Sequence, residues 1–223
     1  MDSQFNHDVL GRIERCGVVA VLVIDHLRDA TAVGRALLAG GIDAMELTLR
    51  TPVALDALRV IRDEFPEMLA GVGTILTTDQ VEQVAAAGAA FGVAPGTNPR
   101  VIRAARDAGL PFAPGIVTPS DVEIAVELGC RELKFFPAEP SGGVPYLKSL
   151  AAPYLHLGLR FVPLGGVNAA NAGTYLAEPS ILAVGGSWLA PRQLIQRQDW
   201  SSISENAQQA VQIVQQARQR DSV

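Results

Sequence analysis

Residues 43–65, DAMELTLRTPVALDALRVIRDEF, hold one complete beat of the fold. The first part, 43–49, is a short apolar run with Glu46 and Thr48 set into it, and it reads as a buried strand. The second part, 52–65, opens on a proline and repeats its apolar residues at helical spacing, as an amphipathic helix does.

The same alternation runs along the whole chain. Strand candidates lie at 18–24, 43–49, 69–73, 90–94, 111–114, 131–136, 160–163 and 181–185. Helical patterns fill 27–40, 52–65, 78–88, 98–109, 119–129 and 168–177, with two more near 144–153 and 203–219. Gly40, Gly88, Gly109 and Gly129 close four of them, where a left-handed cap favours glycine. Eight strands, each followed by a helix, predict an α/β fold whose parallel sheet closes into a (β/α)8 TIM barrel of near-minimal size. A doubly wound open sheet is the alternative. It has fewer strands and a glycine fingerprint after the first, where this chain reads VIDHL. Segment 4–16 predicts an extra N-terminal helix, the barrel spans about 18–217, and 218–223, RQRDSV, reads as a frayed tail. No linker or composition shift interrupts the 223 residues, so the chain reads as a single domain, 1–223.

Composition narrows the partners. The chain is 48% hydrophobic and 18% charged, enough apolar surface for a sizeable core. A net charge of −5 without a basic cluster argues against nucleic acid and membrane surfaces and favours a small molecule. The apolar run near residue 20 is too short to span a bilayer and wrongly flanked for a secretory signal, which predicts a cytoplasmic protein. Cys16 and Cys130 lack metal or redox spacing and read as reduced thiols. His7, His26 and His156 form no ligand pattern, so no metal site is expected.

In barrels of this kind, chemistry gathers where strands end. Those ends carry Glu46, Thr48 and Arg50, then Thr74, Pro95, Lys134 and Phe136, and finally the glycine pairs Gly165-Gly166 and Gly185-Gly186 with Ser187. Strand alternation puts Glu46, Thr48 and Arg50 on one side and Lys134 and Phe136 on one side. Lys134 is one of two lysines against sixteen arginines. In so apolar a strand it reads either as a nucleophilic amine able to form a Schiff base with a ketone or as half of a buried ion pair with Glu46 that fixes register. The second lysine, Lys148, lies in a helix and reads as solvated. The glycine pairs either permit tight turns or present backbone N–H groups to a phosphate, as the last strands of such barrels commonly do.

Taken in order, GGIDAMELTLRT, GVGTIL, APGTNP, PGIVTPSD, ELKFFPAE, PLGGVN and GGSWLAP resemble the KDPG aldolase family over roughly residues 9 to 215. The resemblance implies class I cleavage of 2-keto-3-deoxy-6-phosphogluconate in Entner-Doudoroff carbohydrate metabolism, by a (β/α)8 homotrimer without cofactor. It implies Lys134 as the Schiff-base lysine, Glu46 as general acid/base, Arg50 and Thr74 on the substrate carboxylate, and Pro95 and Phe136 as pocket walls. It implies Gly165, Gly166, Gly186 and Ser187 around the phosphate of a 2-keto acid sugar phosphate. Two positions depart from the family. VIDH stands where some relatives end the first strand on arginine, which leaves Arg50 alone on the carboxylate. Leu164 stands where many read threonine facing the sugar chain, so the pocket wall differs there. The galacto-configured phosphate and 4-hydroxy-2-oxoglutarate remain alternative substrates, and a sugar-phosphate isomerase or binding barrel without covalent chemistry is the rival from another class.

Overall fold

Valine, leucine and alanine runs that are too short to be helices and too apolar to be loops pair edge to edge, and every pairing is parallel. A computed structural model describes residues 3–219. Its strands are β1 (Val18–Leu22), β2 (Ala44–Thr48), β3 (Leu69–Gly73), β4 (Gly92–Val93), β5 (Phe112–Ala113), β6 (Gly115–Ile116), β7 (Glu132–Phe135), β8 (Arg160–Pro163) and β9 (Val184–Gly186). Helices α1 (His7–Cys16), α2 (Ala30–Ala39), α3 (Ala54–Glu64), α4 (Thr78–Ala86) and α5 (Pro99–Asp107) accompany the first half. Helices α6 (Pro119–Glu127), α7 (Gly143–Ala151), α8 (Ala172–Leu176), α9 (Arg192–Gln196) and α10 (Trp200–Gln219) accompany the second. Six strands run in the order β5-β4-β3-β2-β1-β9 and three in the order β6-β7-β8, as a curled parallel sheet. Neighbouring helices pack in turn, α2 on α3 and α4 on α5, while α10 lies against both α2 and α8.

The helices begin where the sequence supplies an acceptor for their orphan N–H groups. Asn6 caps α1, Thr77 and Thr118 form capping boxes at α4 and α6, and Asn98 with Pro99 opens α5. Strand residues alternate between the sheet interior and the helix layer. On β7, Leu133 and Phe135 are fully buried among the aliphatic side chains of the core, and Glu132 and Lys134 lie on the other face. Each fully buried aromatic contributes roughly 1.5–3 kcal/mol of transfer free energy.

Several boundaries differ from the sequence reading, each for a local reason. The run 111–114 becomes two strands because Pro114 has no N–H to give a ladder, although its carbonyl accepts from Lys134 N–H at 2.9 Å. The run 181–185 starts as a single bridge from Ile181 to Phe161 and forms a ladder only at Val184–Gly186. The helix expected at 168–177 shortens to Ala172–Leu176. Asn168 and Asn171 spend their side chains on nearby backbone N–H groups and hold the preceding residues in turns. Helix α9 was not apparent in the sequence. Helix α10 ends at Gln219 as the 203–219 pattern predicts, with the first two residues of the expected tail in it, and 220–223 lie outside the described residues.

The expected helix 4–16 starts only at His7, and the residues before it do different work. Phe5 turns inward, 6% exposed, with its ring 6.5 Å from that of Phe91. Ser3 donates to the Glu132 carboxylate at 2.6 Å. Together they cover one end of a small apolar cavity of about 30 Å³ that is bounded at its other end by Glu46, Lys134 and Leu164. Cys16 and Cys130 are free and buried, and burial pushes their thiols up to about 11 and about 12.

Burial is also the largest influence on Glu132 and raises its pKa, outweighing the Ser3 hydrogen bond and the nearby Arg160 and Arg131 that pull it down. A carboxyl that holds its proton more tightly folded than unfolded favours the native state at low pH. That contribution is lost as pH rises from the unfolded value through the folded one. Glu132→Gln is therefore expected to gain stability relative to the parent protein as pH is raised from about 4 to 7. Urea unfolding midpoints of both proteins across that range give the test, and a difference that stays constant with pH contradicts it.

Candidate active site

Strand β2 is buried throughout, yet it carries Glu46 and Thr48 on the same face. Its neighbour β3 pairs Glu46 with Gly71 and Thr48 with Gly73, two positions without side chains on the shared face. The vacant space is used at once. The Phe91 ring fills the place beside Gly71, and the Glu46 carboxylate lies over Gly73, where a Cβ would meet Oε1 at 1.6 Å. Glu46 is thereby turned toward β7.

There it meets Lys134, whose Nζ donates to Oε1 at 3.3 Å and Oε2 at 3.5 Å. Their side chains are only 3% and 7% exposed. The Lys134 ammonium also stands 5.4 Å from the centre of the Phe136 ring, within cation–π range. Removing either partner of such a pair leaves an uncompensated buried charge, at a cost of about 3–5 kcal/mol. Two residues nearer the mouth, the Thr48 hydroxyl donates to Leu22 C=O at 3.0 Å and accepts from Arg50 Nε at 3.2 Å. The guanidinium is thus tethered at the rim.

The pair lies at the base of a cleft of about 350 Å³. Every residue singled out from the sequence lines it: Glu46, Arg50, Thr74, Pro95, Lys134, Phe136, Leu164, Gly165, Gly166, Gly186 and Ser187. Thr48 and Gly185 lie there too, together with Val21 and Val167, which the sequence reading had missed. Val21 left a faint signal, since it is the one residue of β1 that is not fully buried. Lys148 is elsewhere, paired on the surface with Glu178 at 3.0 Å. The lining carries two cations, Lys134 and Arg50, against one carboxylate.

Two backbone features sharpen the picture. Thr74 is held at φ 64°, a left-handed conformation that strains a β-branched residue by roughly 1–3 kcal/mol. The ladder bonds of its neighbours, Gly73 C=O from Leu49 and Ile75 N–H to Val93, fix it there. Gly165 and Gly166 follow each other at φ 92° and 85°, a turn that only glycine adopts cheaply. Among the described residues, the N–H groups of Gly165, Gly166 and Val167 find no acceptor. Three consecutive free donors on residues that line the cleft suit an anion. Among the described residues no three His, Cys, Asp or Glu side chains gather as metal ligands.

Known proteins resemble this chain over most of its length. A family model described as KDPG and KHG aldolase matches residues 9–206. The 2-dehydro-3-deoxy-phosphogluconate aldolase of Treponema pallidum is 45% identical over 202 residues, which are 91% of this chain and 95% of that protein. The KHG/KDPG aldolase of Escherichia coli K12 is 42% identical over 194 residues, 87% and 90% of the two chains. The crystal structure of a KDPG aldolase from Legionella pneumophila, with pyruvate captured as a covalent carbinolamine intermediate, matches with a TM-score of 0.85 at 38% identity. It covers 90% of this chain and 96% of that one.

The glycine beneath Glu46 offers a direct test of the arrangement. A methyl group at position 73 is incompatible with the carboxylate's present place, so Gly73→Ala is expected to fold but to swing Glu46 away from Lys134. A crystal structure of the variant that still shows the two side chains within 4 Å would contradict this.

Proposed function

The chain belongs to the KDPG and KHG aldolase family, and on that footing we propose that it is a class I aldolase cleaving 2-keto-3-deoxy-6-phosphogluconate to pyruvate and glyceraldehyde 3-phosphate. The observation that carries this reading is the Lys134–Glu46 pair, buried at the base of a cleft whose rim and far wall are suited to anions.

Lys134 is the nucleophile and Glu46 the proton carrier beside it. Proton transfer across their 3.3 Å contact frees the amine, which adds to the C2 carbonyl carbon of the substrate to give a carbinolamine. Glu46 then protonates the departing hydroxyl, and loss of water leaves an iminium at C2, beside the C1 carboxylate and poised as an electron sink. Glu46, now a carboxylate again, takes the proton of the C4 hydroxyl, directly or through a water. The C3–C4 bond breaks, the aldehyde leaves, and its electrons rest in an enamine on Lys134. Protonation at C3 and hydrolysis return pyruvate and the free amine. No cofactor is called for, because the iminium accepts the electrons.

The remaining lining residues hold the substrate. Arg50, tethered through Thr48, receives the carboxylate with Thr74. Pro95 and Phe136 wall the reacting carbons. The free N–H groups beginning at Gly165 and Gly166, with Gly186 and the exposed Ser187 opposite, take the phosphate. We read the curled sheet as a (β/α)8 barrel. The short break at Pro114 separates two halves of one strand, and the Phe161–Ile181 bridge joins β8 to the segment leading into β9. We read the protein further as a single-domain homotrimer that works in the cytoplasm in Entner-Doudoroff metabolism, a reading that the family membership supports. Among the described residues no helix is long and apolar enough to cross a membrane.

Borohydride in the presence of pyruvate decides the covalent step. A mass increase is expected on Lys134 and none on Lys148, and Lys134→Arg should lose turnover, since a guanidinium stays protonated. Labelling confined to Lys148, or none, overturns the reading and leaves a non-covalent sugar-phosphate barrel.

Leu164 favours a second substrate beside the first. Its side chain occupies the space over Gly185, where a Cβ would meet Leu164 Cγ at 2.6 Å, and it forms part of both the cleft and the cavity below. An isobutyl group cannot hydrogen-bond the C4 hydroxyl of either epimer, and so forgoes about 0.5–1.5 kcal/mol of discrimination. The gluco- and galacto-configured phosphates are expected to differ by no more than about tenfold in kcat/KM, with Leu164→Thr widening the preference for the gluco form. Measuring both epimers on both proteins is the check. A strong gluco preference already present in the parent and unchanged by threonine reduces Leu164 to packing.

A further inference from the structure

Behind the Gly165-Gly166 turn stands a side-chain pair that the mechanism does not use. Glu139 follows β7 and Tyr175 sits on α8. The Tyr175 hydroxyl donates to Glu139 Oε1 at 2.5 Å, and the ring is 1% exposed. Glu139 engages the turn twice. Its backbone N–H donates to Gly165 C=O at 2.9 Å, and its Cβ and Cγ press on the Cα of Gly166 so closely that an added Cβ would stand 2.6 and 2.8 Å from them. From the other side, the amides of Asn168 and Asn171 donate to Gly166 C=O at 3.0 and 3.2 Å. The turn is held from both sides, and Glu139 is the only one of the three clamping side chains that is itself pinned by a buried group.

We propose that Glu139, fixed by Tyr175, is a positioning residue that sets the Gly165-Gly166 turn for gripping the substrate's phosphate. This rests on the phosphate reading given above and extends it to residues outside the cleft lining. A carboxylate so near an anion site would ordinarily repel the ligand. Here its Oε1 is drawn off the turn toward Tyr175 and toward Gly143, the first residue of α7, where a Cβ would stand 3.2 Å away. A helix N-terminus favours negative charge, so the side chain braces the turn with its methylenes and parks its charge elsewhere. Burial and the adjacent carboxylate keep the Tyr175 hydroxyl protonated, a donor at all working pH values.

The experiment compares a phosphorylated and an unphosphorylated substrate in Tyr175→Phe, Glu139→Ala and Glu139→Gln, with inorganic phosphate as competing ligand. Tyr175→Phe and Glu139→Ala are expected to raise KM for 2-keto-3-deoxy-6-phosphogluconate and the inhibition constant of phosphate about 10- to 100-fold, the range a misplaced binding group commonly costs. Saturated turnover should change less than about threefold, and KM for 4-hydroxy-2-oxoglutarate and borohydride trapping of pyruvate should not change. Glu139→Gln keeps the methylenes and an acceptor for Tyr175, and should stay near the parent values. Equal losses on both substrates, or unchanged phosphate affinity in Tyr175→Phe, overturn the proposal. Tyr175→Phe removes a single hydroxyl and decides the matter alone if Glu139→Ala does not fold. Parent protein that phosphate does not inhibit refutes the phosphate site itself, and that failure is visible before any variant is made.

Discussion

An ammonium and a carboxylate facing each other inside a curled sheet constrain everything around them. Each ion, alone, loses hydration worth several kcal/mol, and only a close, well-oriented partner returns it. The chain meets this demand by geometry: β2 and β7 bring Glu46 and Lys134 from positions 88 residues apart to 3.3 Å. Such a pair is weak evidence for stability, because an apolar pair of like volume would serve as well. It makes sense as chemistry, since the same contact that neutralises the charges is a path for a proton.

The interior has little room, and glycine decides who occupies it. On β3, Gly71 and Gly73 give their space to Phe91 and Glu46, and on β9, Gly185 gives its space to Leu164. Leu164 divides the interior into two zones. Above it the cleft holds the polar groups. Below it lies the small, mostly apolar cavity reaching Phe5 and Glu132, where the N-terminal segment packs. Glu46 and Lys134 line both zones.

How much of this the sequence disclosed follows from the range of the interactions involved. Strand and helix periodicity is local, and the eight apolar runs, the left-handed glycines Gly88, Gly109 and Gly129 and the parity of Glu46 with Thr48 were legible from it, whereas Gly40 is right-handed. The clustering of Lys134 with Arg50 and the glycine pairs was legible because strand ends share one rim. The break at Pro114 could be foreseen only in outline, since a proline tells where a ladder bond is lost but not whether the strand resumes. Val21 and Val167 were hidden because an apolar wall residue has the same signature as a core residue. Glu139 and Tyr175 were out of reach altogether: they lie 36 residues apart on different elements, and no pattern in either segment announces the contact.

The cleft is organised along its length by the kind of group it offers. At the base an amine and a carboxylate face each other at 3.3 Å, the pair we propose as the reacting one. At one rim a guanidinium waits on a hydroxyl tether, and at the opposite wall the donors are backbone N–H groups held by glycine conformations. Only the first of these changes its charge in the proposed reaction, and both of its side chains are buried. The guanidinium and the backbone donors keep one protonation state throughout and can tolerate water. Burial thus follows chemical duty. Groups that bind are placed where a ligand can reach them, and groups that react are placed where a low dielectric strengthens their mutual field. The apolar Leu164 lines the same cleft, and on the proposed reading it faces the substrate's hydroxyl chain. On the proposed roles, a change there would alter which chain fits while touching neither the ion pair nor the backbone donors, so substrate range could drift without loss of the reaction.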